Sequence, residues 1–130
     1  MKIRGRSIVP GCVIAKSIIS TKPISFLGDV NPNTGIITDK FNPLRGQSIV
    51  NRCLIFPYGK GSTVGSYILY QLRKNNKAPA SIVNIKAEAI VAVGAIISDI
   101  PMIDEVAIEN IPKDKKITLN STKKDAYIEF

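Results

Sequence analysis

Histidine is absent from this 130-residue chain, and with it go the commonest general base and the commonest metal ligand. Ser-His-Asp, Cys-His and zinc–histidine chemistries are therefore excluded within the chain. Tryptophan is absent too, and cysteine occurs only as Cys12 and Cys53. These two lie far apart in sequence among apolar neighbours, whereas a zinc or iron–sulfur site needs several closely spaced thiolates. Both are expected to be buried structural thiols, and the chain itself is expected to hold no metal. No apolar run approaches the roughly 18 residues needed to cross a bilayer. Pro10, Gly11 and Lys16 break up the first stretch that could serve as a signal peptide's apolar region, so a cytoplasmic protein without a membrane partner is expected.

Acidic residues are also scarce, 10 against 18 basic ones, leaving a net charge of +8. The cations are scattered from Lys2 to Lys124 and have no interleaved aromatic residues of the kind that stack on bases. That pattern suits a basic surface drawing in an anionic substrate or an acidic partner better than it suits nucleic acid. With 45% hydrophobic residues and no low-complexity segment, residues 1–130 read as one domain with its own core.

Short β-type runs separated by turns fill the first forty residues, among them 12–19 and 24–27. In Asn31-Pro32-Asn33-Thr34-Gly35, proline presets one φ, glycine accepts a positive one and Asn31 can bond its own backbone, so a tight turn is expected before a returning strand at 35–38. A longer strand is expected over 48–56, then a glycine loop and a helix over 62–74. In that helix Val64, Ile68 and Leu72 recur every fourth residue, with Arg73 and Lys74 in the cationic last turn. Lys77-Ala78-Pro79 ends it, and 80–85 is a buried strand. The run 86–98 favours a helix, and short strands at 102–108, 116–119 and 126–130 complete the chain. The fold class is α/β, β-rich, with a central strand–glycine loop–helix–strand unit.

That central unit carries the chemistry. Gly59-Lys60-Gly61-Ser62-Thr63 is not a nucleotide-binding P-loop, because Gly61 separates Lys60 from the serine and Leu54 stands where the leading glycine belongs. What remains is a serine as candidate N-cap at a helix start, where unpaired N–H groups and a partial positive charge suit a carboxylate, a phosphate or an incipient alkoxide. The helix terminus supplies at most about 2 kcal/mol, or roughly 1.5 pKa units, which is too little to make Ser62 a base unaided. A catalytic Ser62 therefore needs further positive charge, from Lys60, from Arg45, or from a partner chain and its metal centre. Gly65 and Ser66 lower helix propensity in the first turn, and their smallness serves either close packing or room for a ligand.

Read together with Asp29-Val30-Asn31-Pro32-Asn33-Thr34-Gly35, Pro43-Leu44-Arg45-Gly46-Gln47-Ser48, Ala78-Pro79-Ala80 and Ala92-Val93-Gly94-Ala95-Ile96, the Gly59-x-Gly61-Ser62-Thr63 loop resembles the small, swivel-domain subunit of the aconitase X family. The resemblance implies a swivelling β/β/α domain that closes over a large catalytic subunit, as a heterodimer or higher assembly, with a [4Fe–4S] cluster held by that partner. It also implies a hydro-lyase acting on a phosphorylated small molecule, removing water from (R)-5-phosphomevalonate to give trans-anhydromevalonate 5-phosphate in an archaeal isoprenoid pathway. Carried over by position, Ser62 is the proton acceptor. Around it, Gly61 and Thr63, with Lys60 or Arg45, are expected at the substrate anion. A related dehydratase of hydroxyproline, or a non-catalytic module that binds an anion or a partner, are the alternatives. Aconitases of the citrate type follow the glycine loop with Ser-Ser-Arg-Glu; this chain has Ser62-Thr63-Val64-Gly65. The missing arginine argues against citrate-type substrates and shifts anion binding to other residues. Asn31 stands where many relatives have aspartate, and its turn is assigned a structural role.

Overall fold

A computed structural model describes residues 1–130. Eight strands form one sheet in the order β1-β8-β7-β3-β4-β5-β6-β2. The outer members β1 (Lys2–Arg4) and β2 (Arg6–Val9) are consecutive in the chain, separated only by Gly5. β1 runs antiparallel to β8 (Ala126–Glu129) and β2 antiparallel to β6 (Met102–Asp104), so one N-terminal segment pairs with both ends of the sheet. β3 (Gly11–Ile19) pairs antiparallel with β7 (Lys116–Ser121) along its first part, then parallel with β4 (Cys53–Phe56) through Ser17, Ile18 and Ile19. β4, β5 (Ser81–Asn84) and β6 are parallel and are connected by helices α2 (Val64–Lys74) and α3 (Ala89–Ser98), giving two consecutive β-α-β units.

β4 and β5 are buried along their whole length, as strands covered on both faces should be. Successive side chains enter two different cores. Leu54, Phe56 and Ile82 pack with Leu69, Leu72, Val91 and Ala95 of the helices, while Cys53, Ile55 and Val83 join Ile103, Ile117, Leu119 and Ile128 in the other. Arg6 donates from Nε and Nη2 to the fully buried Asp104 carboxylate at 2.9 and 2.8 Å, locking the β2–β6 seam. Asp104 also accepts the Ala87 N–H at 2.8 Å, which anchors the start of the α3 unit to the same seam.

Several expected elements are shorter in the structure. The strand expected at 48–56 exists only from Cys53, because Asn51 takes a left-handed φ of 57° and donates its N–H to Ala78. The strand at 102–108 stops at Asp104, where Glu105 has φ 59°. Residues 24–27 are not a strand: only Ile24 bridges, to Gly59, and α1 (Phe26–Asp29) is a distorted single turn with Gly28 at φ 100°. The returning strand at 35–38 reduces to single bridges, Val30 with Ile37 and Ile36 with Ser48. Cys53 is buried as expected, but Cys12 is exposed, since it sits on the outward-facing set of the alternating β3 strand. The 86–98 helix and the Asn31 turn are present; Asn31 Oδ1 accepts the Asn33 N–H at 2.8 Å and its carbonyl accepts from Gly35. No helix is long and apolar enough to cross a membrane.

Candidate functional site

The glycine loop leaves the carboxyl end of β4, among the parallel strands, where open α/β sheets gather their ligand sites. Pro57 ends the strand, and its carbonyl accepts the N–H groups of Ile85 and Lys86 at 3.0 and 3.2 Å. Ile24 then clamps the next turn: its N–H donates to Tyr58 at 3.3 Å and its carbonyl accepts from Lys60 at 3.1 Å. Gly61 has φ 95°, a left-handed conformation, and a Cβ there would run into Ser25 Oγ. The chain thus arrives at Ser62 pressed against the 25–29 turn.

That turn is itself braced. The Ser25 N–H donates to Asp29 Oδ2 at 2.8 Å, Ser25 Oγ donates to the Leu27 carbonyl at 2.9 Å, and Thr38 Oγ1 donates to the Gly28 carbonyl at 3.1 Å. On the other side of the loop stands Glu88, whose Oε1 caps α3 by accepting the Val91 N–H at 3.2 Å. The same Oε1 lies 3.0 Å from where a Cβ at Gly59 would be. Both carboxylates bordering the loop are therefore engaged by backbone N–H groups.

Ser62 is exposed, and its Oγ accepts the Val64 N–H at 3.1 Å. Its carbonyl accepts the Gly65 N–H at 2.9 Å, a tight first turn. The cap position falls on Thr63 instead of Ser62, yet the Thr63 side chain caps nothing and is also exposed. Ser62 does the capping from one residue further out, leaving its hydroxyl proton free to be given away while a backbone donor already points at its oxygen. The small residues after it serve packing: Gly65 and Ser66 are buried, a Cβ on Gly65 would sit 3.2 Å from Ile90, and Ser66 Oγ donates to the Ile90 carbonyl at 2.6 Å.

Lys60, Gly61, Ser62 and Thr63 form one exposed arc, with Lys60 in no ion pair. Arg45 lies on the turn 42–46, which is fastened by the Asn42 amide donating at 3.0 Å to the Oγ of Ser20, the residue after β3. No hydrogen bond joins Arg45 to Ser62; its turn is also tied to Ile37, which donates to Gln47 and accepts from Gly46, and Thr38 beside it donates to Gly28. Sequence reasoning missed Ser25 and Glu88, which shape the arc from both sides. The largest surface cavity, about 610 Å³ and lined by Cys12, Arg73 and Asp99, lies at the opposite end of the parallel strands and does not include Ser62.

Metal ligands are lacking. No group of three or more Cys, Asp or Glu side chains is gathered anywhere, Cys53 is sealed in the sheet interior, and Cys12 is alone on the surface. These residues do not fit an iron–sulfur cluster.

The aconitase X swivel domain family matches residues 2–129. This chain belongs to that family. The phosphomevalonate dehydratase small subunit of Thermococcus kodakarensis is 52% identical over 128 residues, covering 98% of this chain and 96% of the relative. The protein of the same name from Methanosarcina mazei is 56% identical over 104 residues, 80% of this chain and 72% of the relative. The crystal structure of T. kodakaraensis aconitase X in its holo-form superposes with a TM-score of 0.95 at 50% identity, covering 100% of this chain and 99% of that one. The swivel-domain fold expected from the glycine loop and its companion motifs is thereby shown.

Proposed function

We propose that this chain is the small subunit of a heteromeric hydro-lyase that converts (R)-5-phosphomevalonate to trans-anhydromevalonate 5-phosphate, with Ser62 Oγ as the proton acceptor. The observation that carries the site is Ser62 itself, an exposed hydroxyl whose oxygen already accepts a backbone N–H at the start of α2. The substrate class rests on the names of relatives that share about half of their residues with this chain.

In this reading Ser62 first gives up its hydroxyl proton to solvent, and the resulting alkoxide, held by the Val64 N–H, takes the proton from the carbon next to the substrate carboxylate. The electron pair of that C–H bond becomes the new C=C bond, and the C–O bond of the neighbouring hydroxyl breaks. This chain contributes the base, the N–H donors of the Gly61–Thr63 arc and the Lys60 ammonium for substrate anions. In this reading the protonation of the leaving hydroxyl, and the ligands of any [4Fe–4S] cluster, are assigned to the large subunit. Arg45, exposed on the 42–46 turn, is the further cation proposed for the substrate anion.

Anaerobic reconstitution tests the assignment. The chain, its large subunit and iron are combined with (R)-5-phosphomevalonate, alkene formation is followed by NMR, and each subunit is omitted in turn. Product that requires both chains supports the proposal. Turnover by the large subunit alone would make this chain a binding module, and no product from an intact complex would reject the substrate.

A further inference from the structure

Helix α3 is out of place as a surface helix. From Ala89 to Ser98 it carries no charged side chain, in a protein with 28 charged residues among 130 (18 basic plus 10 acidic). Its inner face, Val91, Gly94, Ala95 and Ser98, is buried, yet its outer face presents Val93, Ile96 and Ile97 to solvent, Ile96 at 57% exposure. A helix apolar all round belongs in an interior. The neighbouring stretch of α2 continues the surface. Between Lys60 and Arg73 the chain has no charge, and Val64, Tyr67 and Tyr70 are exposed, Tyr67 at 69%. Between the two helices runs a groove of about 420 Å³ lined by Thr63, Ser66, Tyr67, Ile90, Val93 and Ile97.

The groove has a fixed shape and a fixed relation to the catalytic loop. Gly94 lets the helices meet so closely that a Cβ there would lie 2.7 Å from Leu69 Cδ1 and 3.2 Å from Ser66 Cα. At its upper end the groove is lined by Thr63, the residue after Ser62. A body seated on this face is therefore held at a set position relative to Ser62 Oγ. Depletion of charge with exposed aromatic and aliphatic residues is the signature of the core of a protein interface.

We infer that the α2–α3 face is the docking surface for the large subunit, which meets it with an uncharged apolar surface of its own. The inference rests on the heteromeric reading above, and its occupant follows from continuity: the surface begins at the residue beside the proposed base, which must be delivered to a site whose remaining groups lie on the partner.

The test measures affinity separately from turnover. Val93→Glu and Ile97→Glu on α3, with Tyr67→Ser on α2 as a milder change, are titrated against the large subunit by sedimentation velocity. Circular dichroism confirms their fold, and Ile14→Glu, an exposed apolar position on β3, serves as the control. The Glu variants are expected to weaken association at least about 30-fold, Ile14→Glu to leave it unchanged, and excess large subunit to restore turnover to within about twofold of wild type, because Ser62 is intact. Association within about threefold of wild type for all three groove variants would overturn the inference. So would a chain that dimerises with itself through this face, in which case the variants become monomeric while their affinity for the large subunit stays the same. A complex that depends on the groove but turns over no phosphomevalonate would retain the docking surface and reject the substrate reading instead.

Discussion

Ser25 Oγ occupies the place that a side chain at Gly61 would need, so the residue before the proposed base is held against a turn 36 positions earlier in the chain. The left-handed φ of 95° at Gly61 and this contact together set the direction from which Ser62 enters α2. Gly61→Ala meets both obstacles. Strain at a non-glycine residue in that region costs about 1–3 kcal/mol, which for a chain of this size lowers Tm by roughly 3–10 °C. Turnover of the assembled enzyme falls further than stability does, because the Ser62 oxygen moves. Adding Ser25→Ala removes the hydroxyl but not the backbone strain, so the double variant recovers part of the loss. Calorimetry and steady-state kinetics on the single and double variants check this.

The seam between β2 and β6 depends on Arg6 and Asp104. Hydrogen bonding to Asp104, helped by its charge, raises the guanidinium pKa further. Arg6→Ala leaves a fully buried carboxylate with the Ala87 N–H as its remaining partner. The expected result is a Tm lowered by several degrees and faster amide exchange from Ala87 through Val91, where Asp104 and Glu88 fasten the start of α3. Arg6→Lys keeps the charge but not the paired geometry and restores stability only in part. Amide hydrogen exchange with thermal melts of both variants provides the measurement.

The two thiols differ sharply. Burial pushes the Cys53 thiol up to about 11 from an ordinary 9.0, with the neighbouring Ser81 hydroxyl working in the opposite direction, while Cys12 is exposed. Native protein at mildly alkaline pH is expected to take up one equivalent of a thiol reagent, at Cys12, and a second only on unfolding. Because the folded pKa is the higher one, the native state keeps the Cys53 proton after the unfolded chain has lost it. The Cys53 contribution to stability is therefore full below pH 9.0 and is lost as pH rises towards about 11. That loss amounts to about 2–3 kcal/mol. Comparing wild type with Cys53→Ala across this range isolates the effect from other titrating groups, and the variant should show a shallower alkaline decline.

Local patterns in the sequence carried the centre of this fold. The four-residue recurrence of Val64, Ile68 and Leu72 marks α2, and glycine and serine punctuation marks the loop, because turns and amphipathic helices are decided by neighbours. The missing pieces depend on distant partners. Nothing local in residues 2–9 reveals that Arg6 will pair with a carboxylate 98 residues away and fasten β2 to β6. Strand ends at Asn51 and Glu105 are set by left-handed backbone that tertiary hydrogen bonds support, not by composition. Cys12 was misplaced because its apolar neighbours, Val13 and Ile14, fall on opposite faces of β3, and Ile14 is itself exposed. Ser25 was missed for the same reason as Arg6: its role exists only once Ile24 has paired with Gly59.

The proposed role of Ser62 is tested most directly by Ser62→Ala in the assembled two-subunit enzyme, with alkene formation followed by NMR and complex formation by sedimentation. The side chain makes one hydrogen bond, with the Val64 N–H, and is exposed, so the variant should fold and should bind the large subunit as wild type does. General-base catalysis contributes about 10²–10⁴-fold, so kcat is expected to fall at least about 100-fold with association unchanged. Dehydration within about tenfold of wild type would contradict the assignment of the proton to Ser62.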